Sequence, residues 1–572
     1  MKSLLALLSF FSLFVPSALA LSPDSTSVDS RVRNFLYANA ELWCSEASNA
    51  SLRPLLSYSN QWGRFTQYDK GEFGASAAIA FRHLFRNRNI VFRSGLSAQV
   101  DRDDKRTMVD QLYADFNLWM FNVNIGRERF TPVLTNTSLS TGSYIMSNNA
   151  RPVSRAGIGI LDFWSLPLNR LCSAIPDNLI QIRGGFSIGL LSDEDNPAYT
   201  DDAILQEKFA YARIAAWPTK LYAGLNHSAI MGGVTPDGYD IPVDFWNTFF
   251  GRQGSTDVFD NGRSRGETTN AAGAHQGMWD FGLNFDFSGY WSATLYYQRP
   301  FTDSRARNPF SHGVKDCTFG WLMNFSGSSF FKELAVEYVN TRWQGGAGFP
   351  DPCVPSQAGY NVYLYPGDYD TEDIPHLLND VLLPDDVAAY ELASGEKVDN
   401  YPALIRFLRQ TYNHNLDFGG RSLYLDNGFY PQGWTVGGLS MGNSLMHTNE
   451  TVSRYAPEGS INLVTRFPNT RLRAVNVGLR GNLNEWIAYY ARVTFSHNYG
   501  NYREQYSGPD PSSTWTSTQG YFFSKSRHET YSCLALDFNV LPRFFVSTNL
   551  AYDFGDLYHS FASRLSVKYI IK

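Results

Sequence analysis

The stretch Gln111-Leu112-Tyr113-Ala114-Asp115-Phe116-Asn117-Leu118-Trp119-Met120-Phe121-Asn122 has a period of two. Leu112, Ala114, Phe116, Leu118 and Met120 fall on one side, and Gln111, Tyr113, Asp115 and Asn117 on the other. A β-strand sends successive side chains to opposite faces, so this segment has one oily and one polar face. A transmembrane barrel strand needs that division between lipid and a wet interior. The same alternation recurs late in the chain. Ile487, Tyr489, Ala491, Val493 and Phe495 oppose Tyr490, Arg492, Thr494 and Ser496, and Leu565, Val567, Tyr569 and Ile571 oppose Arg564, Ser566 and Lys568. A soluble β-sandwich produces the same pattern, so the choice between the two rests on other parts of the chain.

The first twenty residues bear on it. Met1-Lys2 is a short basic start, Leu4 to Val15 is apolar apart from Ser9 and Ser12, and Ser17-Ala18-Leu19-Ala20 ends in an A-x-A-type cleavage site. This is the pattern of a secretory signal peptide, with the mature chain expected from Leu21. No other apolar run has the ~18–20 residues of a membrane helix. An exported, strand-rich chain of this kind points to a β-barrel in a bacterial outer membrane.

Composition agrees. Of 572 residues 15% are aromatic, including 33 Tyr and 41 Phe, while the mean hydropathy is only −0.28. An oily exterior around a polar lumen gives this mixture. The net charge of −6 argues against nucleic acid as a partner. Five widely spaced cysteines, Cys44, Cys172, Cys317, Cys353 and Cys533, do not make a disulfide framework.

The expected organisation is a signal peptide over 1–20, an N-terminal periplasmic helical element over 21–70, and a transmembrane barrel over 71–572. The helix is read from Ser27-Val28-Asp29-Ser30 as a cap, with Leu36, Ala40 and Trp43 on one face up to Cys44. At ~10 residues per tilted strand the barrel segment holds about 16–20 antiparallel strands, centred on 18. Tight turns are expected at 86–88 and 101–105. Long connections, expected near 130–155, 233–278, 344–420 and 430–460, would lie on the extracellular side.

The 344–420 insertion should be partly helical. Asp385 to Leu392 reads as a short helix ended by Gly395, and Asn400 can cap a second, with Pro402 in its first turn and Leu404 to Tyr412 following. Between Asp368 and Asp399 there are ten Asp/Glu and one Lys, without the ordered spacing of a calcium loop. The sequence contains no H-E-x-x-H or P-loop. The histidines are scattered, with His227 and His497 beside strand ends. The expectation is a protein that is not an enzyme, with no catalytic set, cofactor or metal site.

Several segments together resemble the Wzi family of capsule-assembly proteins in its Bacteroidetes-type form. Asn149-Ala150-Arg151-Pro152-Val153-Ser154-Arg155 is similar to N-A-R-P-x-P-R. Leu225-Asn226-His227-Ser228-Ala229-Ile230-Met231-Gly232-Gly233, with Phe249-Phe250-Gly251-Arg252 after it, resembles a G-L-x-H-x-x-x-G-G strand and loop. Leu295 to Asp303 and Val336 to Gln344 follow, like Y-x-Q-x-x-f-x-D and E-Y-x-x-T-x-x-Q. Asn427-Gly428-Phe429-Tyr430-Pro431-Gln432-Gly433-Trp434-Thr435, then Met441-Gly442-Asn443, looks like N-G-x-Y-x-x-G-W-T with a later x-G-N, the most specific piece. Ala551 to Tyr558 is similar to a terminal A-Y-D-x-G-x-L-Y.

The resemblance implies an outer-membrane barrel of about eighteen strands with a helical element on its periplasmic side. It also implies a lectin-like, non-enzymatic role in holding capsular or other surface polysaccharide at the cell surface. Outer-membrane lipids are the other expected partner, and protein partners stay open. The alternative from another class is a passive porin or substrate-specific channel, which differs in needing an open lumen. Sugars are held by aromatic faces, amides and carboxylates. Tyr424, Asp426, Asn427, Tyr430, Gln432, Trp434 and Asn443 supply these close together and are the candidate glycan contacts.

Overall fold

The computed structural model describes residues 34–85, 90–101, 106–135, 137–170, 172–191, 196–216, 218–259, 262–268, 271–287, 289–302, 315–326, 329–344, 349–350, 353–359, 361–363, 373–412, 418–419, 423–505 and 521–571. The signal-peptide segment 1–20 lies outside them, as do the core of the expected 86–88 turn and residues 102–105.

Eighteen antiparallel strands form one closed barrel. They are β1 (Asn34–Ala47), β2 (Gly71–Leu84), β3 (Ile90–Asp101), β4 (Arg106–Leu118), β5 (Phe121–Arg127), β6 (Ser154–Ser165), β7 (Ile180–Leu191), β8 (Ala203–Ala216) and β9 (Thr219–Met231), followed by β10 (Ala274–Phe287), β11 (Trp291–Phe301), β12 (Cys317–Phe325), β13 (Glu333–Asn340), β14 (Leu472–Asn482), β15 (Ile487–Asn498), β16 (Arg527–Leu541), β17 (Phe544–Gly555) and β18 (Ser560–Ile570). Each pairs with its sequence neighbours, and β1 closes on β18 from Asn39↔Ile570 to Ala47↔Ala562. Among the described residues, the short helices outside the wall include α1 (Leu55–Tyr58), α2 (Phe245–Phe250), α3 (Pro384–Ser394), α4 (Tyr401–Tyr412) and α5 (Asn449–Tyr455).

Where the expected N-terminal helix falls within the described residues, from Asn34 to Cys44, the chain is instead strand β1. Its residues also carry period two: Leu36, Ala38, Ala40, Leu42 and Cys44 face outward, while Tyr37 and Trp43 are buried inside. Without β1 the edge of β18 would leave unpaired backbone groups in lipid. That requirement outweighs a weak helical spacing. Residues 48–70, expected on the periplasmic side, instead lie at the end of the barrel that carries the long connections.

Those connections, 48–70, 128–153, 232–273 and 341–471, all leave the same end. The other end has tight turns such as Trp119-Met120 and Pro542-Arg543, where Trp119 and Arg543 have positive φ. In bacterial outer-membrane barrels the long loops are as a rule extracellular and the short turns periplasmic. The lipid-facing surface follows the period-two pattern, with Leu112, Phe116, Ile125, Ile158, Leu221, Leu295 and Val475 among its exposed apolar residues. Trp119, Phe121, Phe287, Tyr290, Phe331 and Trp486 ring the short-turn end, and Phe73, Tyr338, Phe495, Phe554 and Phe561 the opposite one. These are the two aromatic girdles of an outer-membrane-type barrel. Inside, some rings lie over cross-strand glycines. A Cβ at Gly282 would come within 2.3 Å of Tyr222, and one at Gly320 within 2.1 Å of Tyr296.

The insertion forms a small helical unit of its own. The side chain of Asn400 accepts from Ala403 N at 3.0 Å at the start of α4, and Gly395 ends α3 with φ 69°. Val354, Ile374, Leu377, Leu404, Phe407 and Leu408 make its core. Cys317 carries a free thiol.

Ala40 pairs with Ala77 on one side and Tyr569 on the other. Proline there removes a ladder donor at the closing seam. Ala40→Pro is expected to lose the compact, heat-modifiable band on gels, while Ala40→Val, which keeps the N–H and faces lipid, retains it.

Candidate glycan-binding face

The connection from β5 to β6 does not stay near its own strands. Residues 128–153 cross the lumen to the wall nine strands away. The Asn476 side chain on β14 donates to Leu139 O at 2.9 Å, and Tyr490 on β15 donates to Ser138 O at 2.8 Å. Thr141 N donates to the carboxylate of Glu337 on β13 at 2.6 Å. Gln298 on β11 donates to the Thr135 hydroxyl at 2.8 Å, and the Tyr144 hydroxyl donates to Gln276 on β10 at 2.5 Å. Leu139 also packs on Gly478, where a Cβ would sit 2.8 Å from the Leu139 carbonyl.

The segment with the most family-like motif sits on top of this crossing loop. Trp434 Nε1 donates to Ile145 O at 2.8 Å, Asn443 Nδ2 to Gly142 O at 3.2 Å, and Ser147 N to Met441 O at 2.7 Å. Tyr424 donates to Asp316 at 2.6 Å, and Tyr430 to Gly232 O at 3.3 Å. Gln432 accepts from Thr200 N at 3.1 Å and donates back to Thr200 O at 3.3 Å. Asp426 accepts from the backbone N–H of Arg466 and Phe467 at 2.8 and 3.2 Å. Asn427 accepts from Phe429 N at 2.9 Å, turning the chain outward.

The seven candidate contacts are therefore brought together, but as the hub of a plug. Tyr424, Tyr430 and Trp434 are 0%, 1% and 1% exposed, and Gln432 and Asn443 are also buried. Their rings offer no face to a sugar, and their polar atoms serve neighbouring loops. This corrects the expectation of direct glycan contact for these five. The sequence showed the cluster without its partners, which come from four other connections.

The structure exposes a different strip of rings across the mouth. Tyr239 and Phe429 stack with centroids 6.2 Å apart. The Arg263 guanidinium lies 4.5 Å over Tyr239 and pairs with Asp237. Hydrogen bonds from Arg263 and from the Thr235 hydroxyl hold the Asp237 carboxyl well below the usual carboxylate range, so it stays charged. The Thr200 hydroxyl donates to Phe429 O at 2.8 Å, which places Tyr199 beside Phe429. Tyr199 donates to Glu450 at 3.3 Å, and Arg466 pairs with the same carboxylate. One turn further along the same face of α5, Arg454 lies 3.6 Å over Tyr68. Tyr68, Tyr199, Tyr239 and Phe429 are all half-buried. Half-open rings with charged and amide neighbours suit saccharide C–H faces and hydroxyls. Nothing in sequence links them, because they sit in four connections and share no motif.

The best-formed cavities among the described residues are small. One, between Trp62, Glu128, Phe130, Arg151, Arg155 and Met441, has a volume of only about 10 Å³. That is far below the ~300–1,000 Å³ of ordinary small-molecule sites.

No protein-family model matches the chain, and no curated protein sequence is similar to it. Solved outer-membrane barrels are similar in overall form. One is Wzi of Escherichia coli, described as an outer-membrane protein involved in group 1 capsule assembly and a carbohydrate-binding β-barrel. It has 11% identity and a TM-score of 0.48 over 92% of this chain and 83% of that one. Two others are OccK5 and OprD of Pseudomonas aeruginosa. Each has 8% identity and a TM-score of 0.39 over 94% of this chain, covering 98% and 95% of theirs.

Replacing a buried Trp leaves a cavity that costs about 3–5 kcal/mol. Trp434→Ala is expected to keep the heat-modifiable barrel while amide-exchange protection falls around 141–147 and 439–445. Glu337→Ala orphans Thr141 N and the Tyr296 hydroxyl, at about 1–3 kcal/mol each. It should loosen the crossing loop and leave the mouth strip intact, read by the same exchange experiment.

Proposed function

We propose that this outer-membrane barrel binds and organises capsular or other surface polysaccharide at the cell surface, as a non-enzymatic, lectin-like attachment protein. The observation that carries this is the strip Tyr68, Tyr199, Phe429 and Tyr239, held half-open at the outer mouth by a plug whose own residues are buried. A glycan chain lying across it meets ring faces from four connections and the charged pairs Asp237–Arg263 and Glu450–Arg466. The hub around Trp434 supports binding indirectly by fixing where these rings stand. A passive channel would need a path past residues 128–153, which are bonded to β7 on one wall through Arg183 and to β14 on another through Asn476.

One stacking ring contributes about 0.5–1.5 kcal/mol, or roughly two- to tenfold in affinity. Tyr239→Ala and Phe429→Ala are each expected to weaken retention of cell-associated polysaccharide by that factor, and both variants should run as folded barrels. If both retain polysaccharide like the parent, the strip is not the binding face. In planar bilayers the purified protein is expected to give no steady ohmic conductance, and a stable open level would favour the channel.

A further inference from the structure

The β9–β10 connection, 232–273, divides in two. Its first part joins the mouth: Ile241 belongs to the plug core, and Tyr430 donates to Gly232 O. Its second part turns the other way and lies on the outside of the barrel. Inward positions on β7 and β8 are marked by Arg183, Ser187, Glu207 and Tyr211, whose partners are in the lumen or on its inner wall. Phe186 and Lys208, directly paired in register, therefore point outward. The α2 side chains cover both. Phe245 and Phe249 lie 6.4 and 5.5 Å from the Phe186 ring, and Lys208 Nζ is 4.6 Å from the Phe249 ring.

The helix thus sits part-way down the wall. Phe186 is five residues below the upper end of β7, on the order of 15 Å along the strand. Ile188 and Leu190, nearer the mouth on the same outward face, are exposed apolar residues of the lipid-facing surface. An element lower on the wall than these, on the same side, lies at membrane depth.

Two further features fit that depth. First, α2 turns apolar rings away from the wall: Trp246 and Phe250 are 65% and 49% exposed, and their rings stack on each other at 6.3 Å. Second, the polar groups around α2 are satisfied locally. Asp244 accepts from Asn247 N, Asn247 Nδ2, Ser255 N and the Ser255 hydroxyl at 3.3, 2.8, 3.0 and 2.7 Å. Irregular backbone is tolerated in a bilayer only when its polar groups are paired. Arg252 lays its guanidinium 4.9 Å over the Phe250 ring, with a stem long enough to carry the charge toward headgroup phosphates. The connection also shields wall residues that lipid would tolerate poorly. The outward-facing His227 and His275 lie beneath it, with ring nitrogens 3.0 Å apart, and His275 is 2.8 Å from Ala272 O.

We propose that residues 244–252 are a membrane-seated apron, in which Trp246 and Phe250 contact outer-leaflet lipid and Arg252 meets the headgroup layer. The occupant of this face is bilayer lipid, because the face is continuous with the lipid-facing belt around it.

The test uses the full chain reconstituted in phosphatidylcholine vesicles, with or without lipid brominated on the acyl chain just below the headgroup. The emission lost in Trp246→Phe isolates the Trp246 signal. It is expected to be blue-shifted, to lose most of its intensity in brominated vesicles, and to resist aqueous iodide. Phe250→Trp adds a reporter to the intact apron and should behave in the same way. Quenching by iodide without quenching by bromolipid overturns the proposal. Resistance to both quenchers, with a cross-linked dimer on gels, overturns it in favour of a second copy of this chain.

Discussion

Everything in this molecule depends on the pairing of β1 with β18. A bilayer core offers no water to unpaired N–H and C=O groups, so a membrane sheet must have no edge. The register from Asn39↔Ile570 to Ala47↔Ala562 removes the last one. Closure then imposes the rest of the design. Alternate residues must be lipid-compatible outside and mutually satisfied inside, and the long connections can project only from the ends.

The second constraint is the loop that crosses the lumen. A wide barrel does not fill its own interior with wall side chains, so the interior needs another occupant. Residues 128–153 provide it by bonding to β10, β11, β13, β14 and β15. The 423–471 segment packs on that loop and ties itself to three other connections through Tyr424, Tyr430 and Gln432. The result is a rigid mouth, on which half-open rings from separate parts of the chain hold fixed positions. A connection that is not needed in the mouth is free to fold outward, as 244–252 does.

Much of this was legible in residue pattern. The period-two runs became β4 over 111–118, β15 over 487–496 and β18 over 564–570 with the expected inner and outer faces, while the last part of the first run, from Trp119, is a turn and the start of β5. Asn400 and Gly395 capped and ended their helices as the residue types predict, because caps depend on atoms a few residues apart. Residues 34–47 were misread for a related reason. Leu36, Ala40 and Trp43 fit a helical face locally, while the demand that made them a strand came from β18, more than 500 residues away in sequence.

The sequence by itself determined that the strands have one oily and one polar face, roughly how many strands there are, and which segment clusters aromatic rings with amides. These follow from local periodicity and residue chemistry. Only the tertiary structure decided what that segment does. Tyr424, Tyr430 and Trp434 look like sugar-stacking rings when read along the chain, but they are buried against partners from three other connections. Tyr68, Tyr199 and Tyr239 are unremarkable in sequence and Phe429 stands at a variable position of that segment's motif, yet the same packing leaves all four half-open. Exposure is a property of the whole fold: it depends on what the remaining loops cover, and no local pattern encodes that.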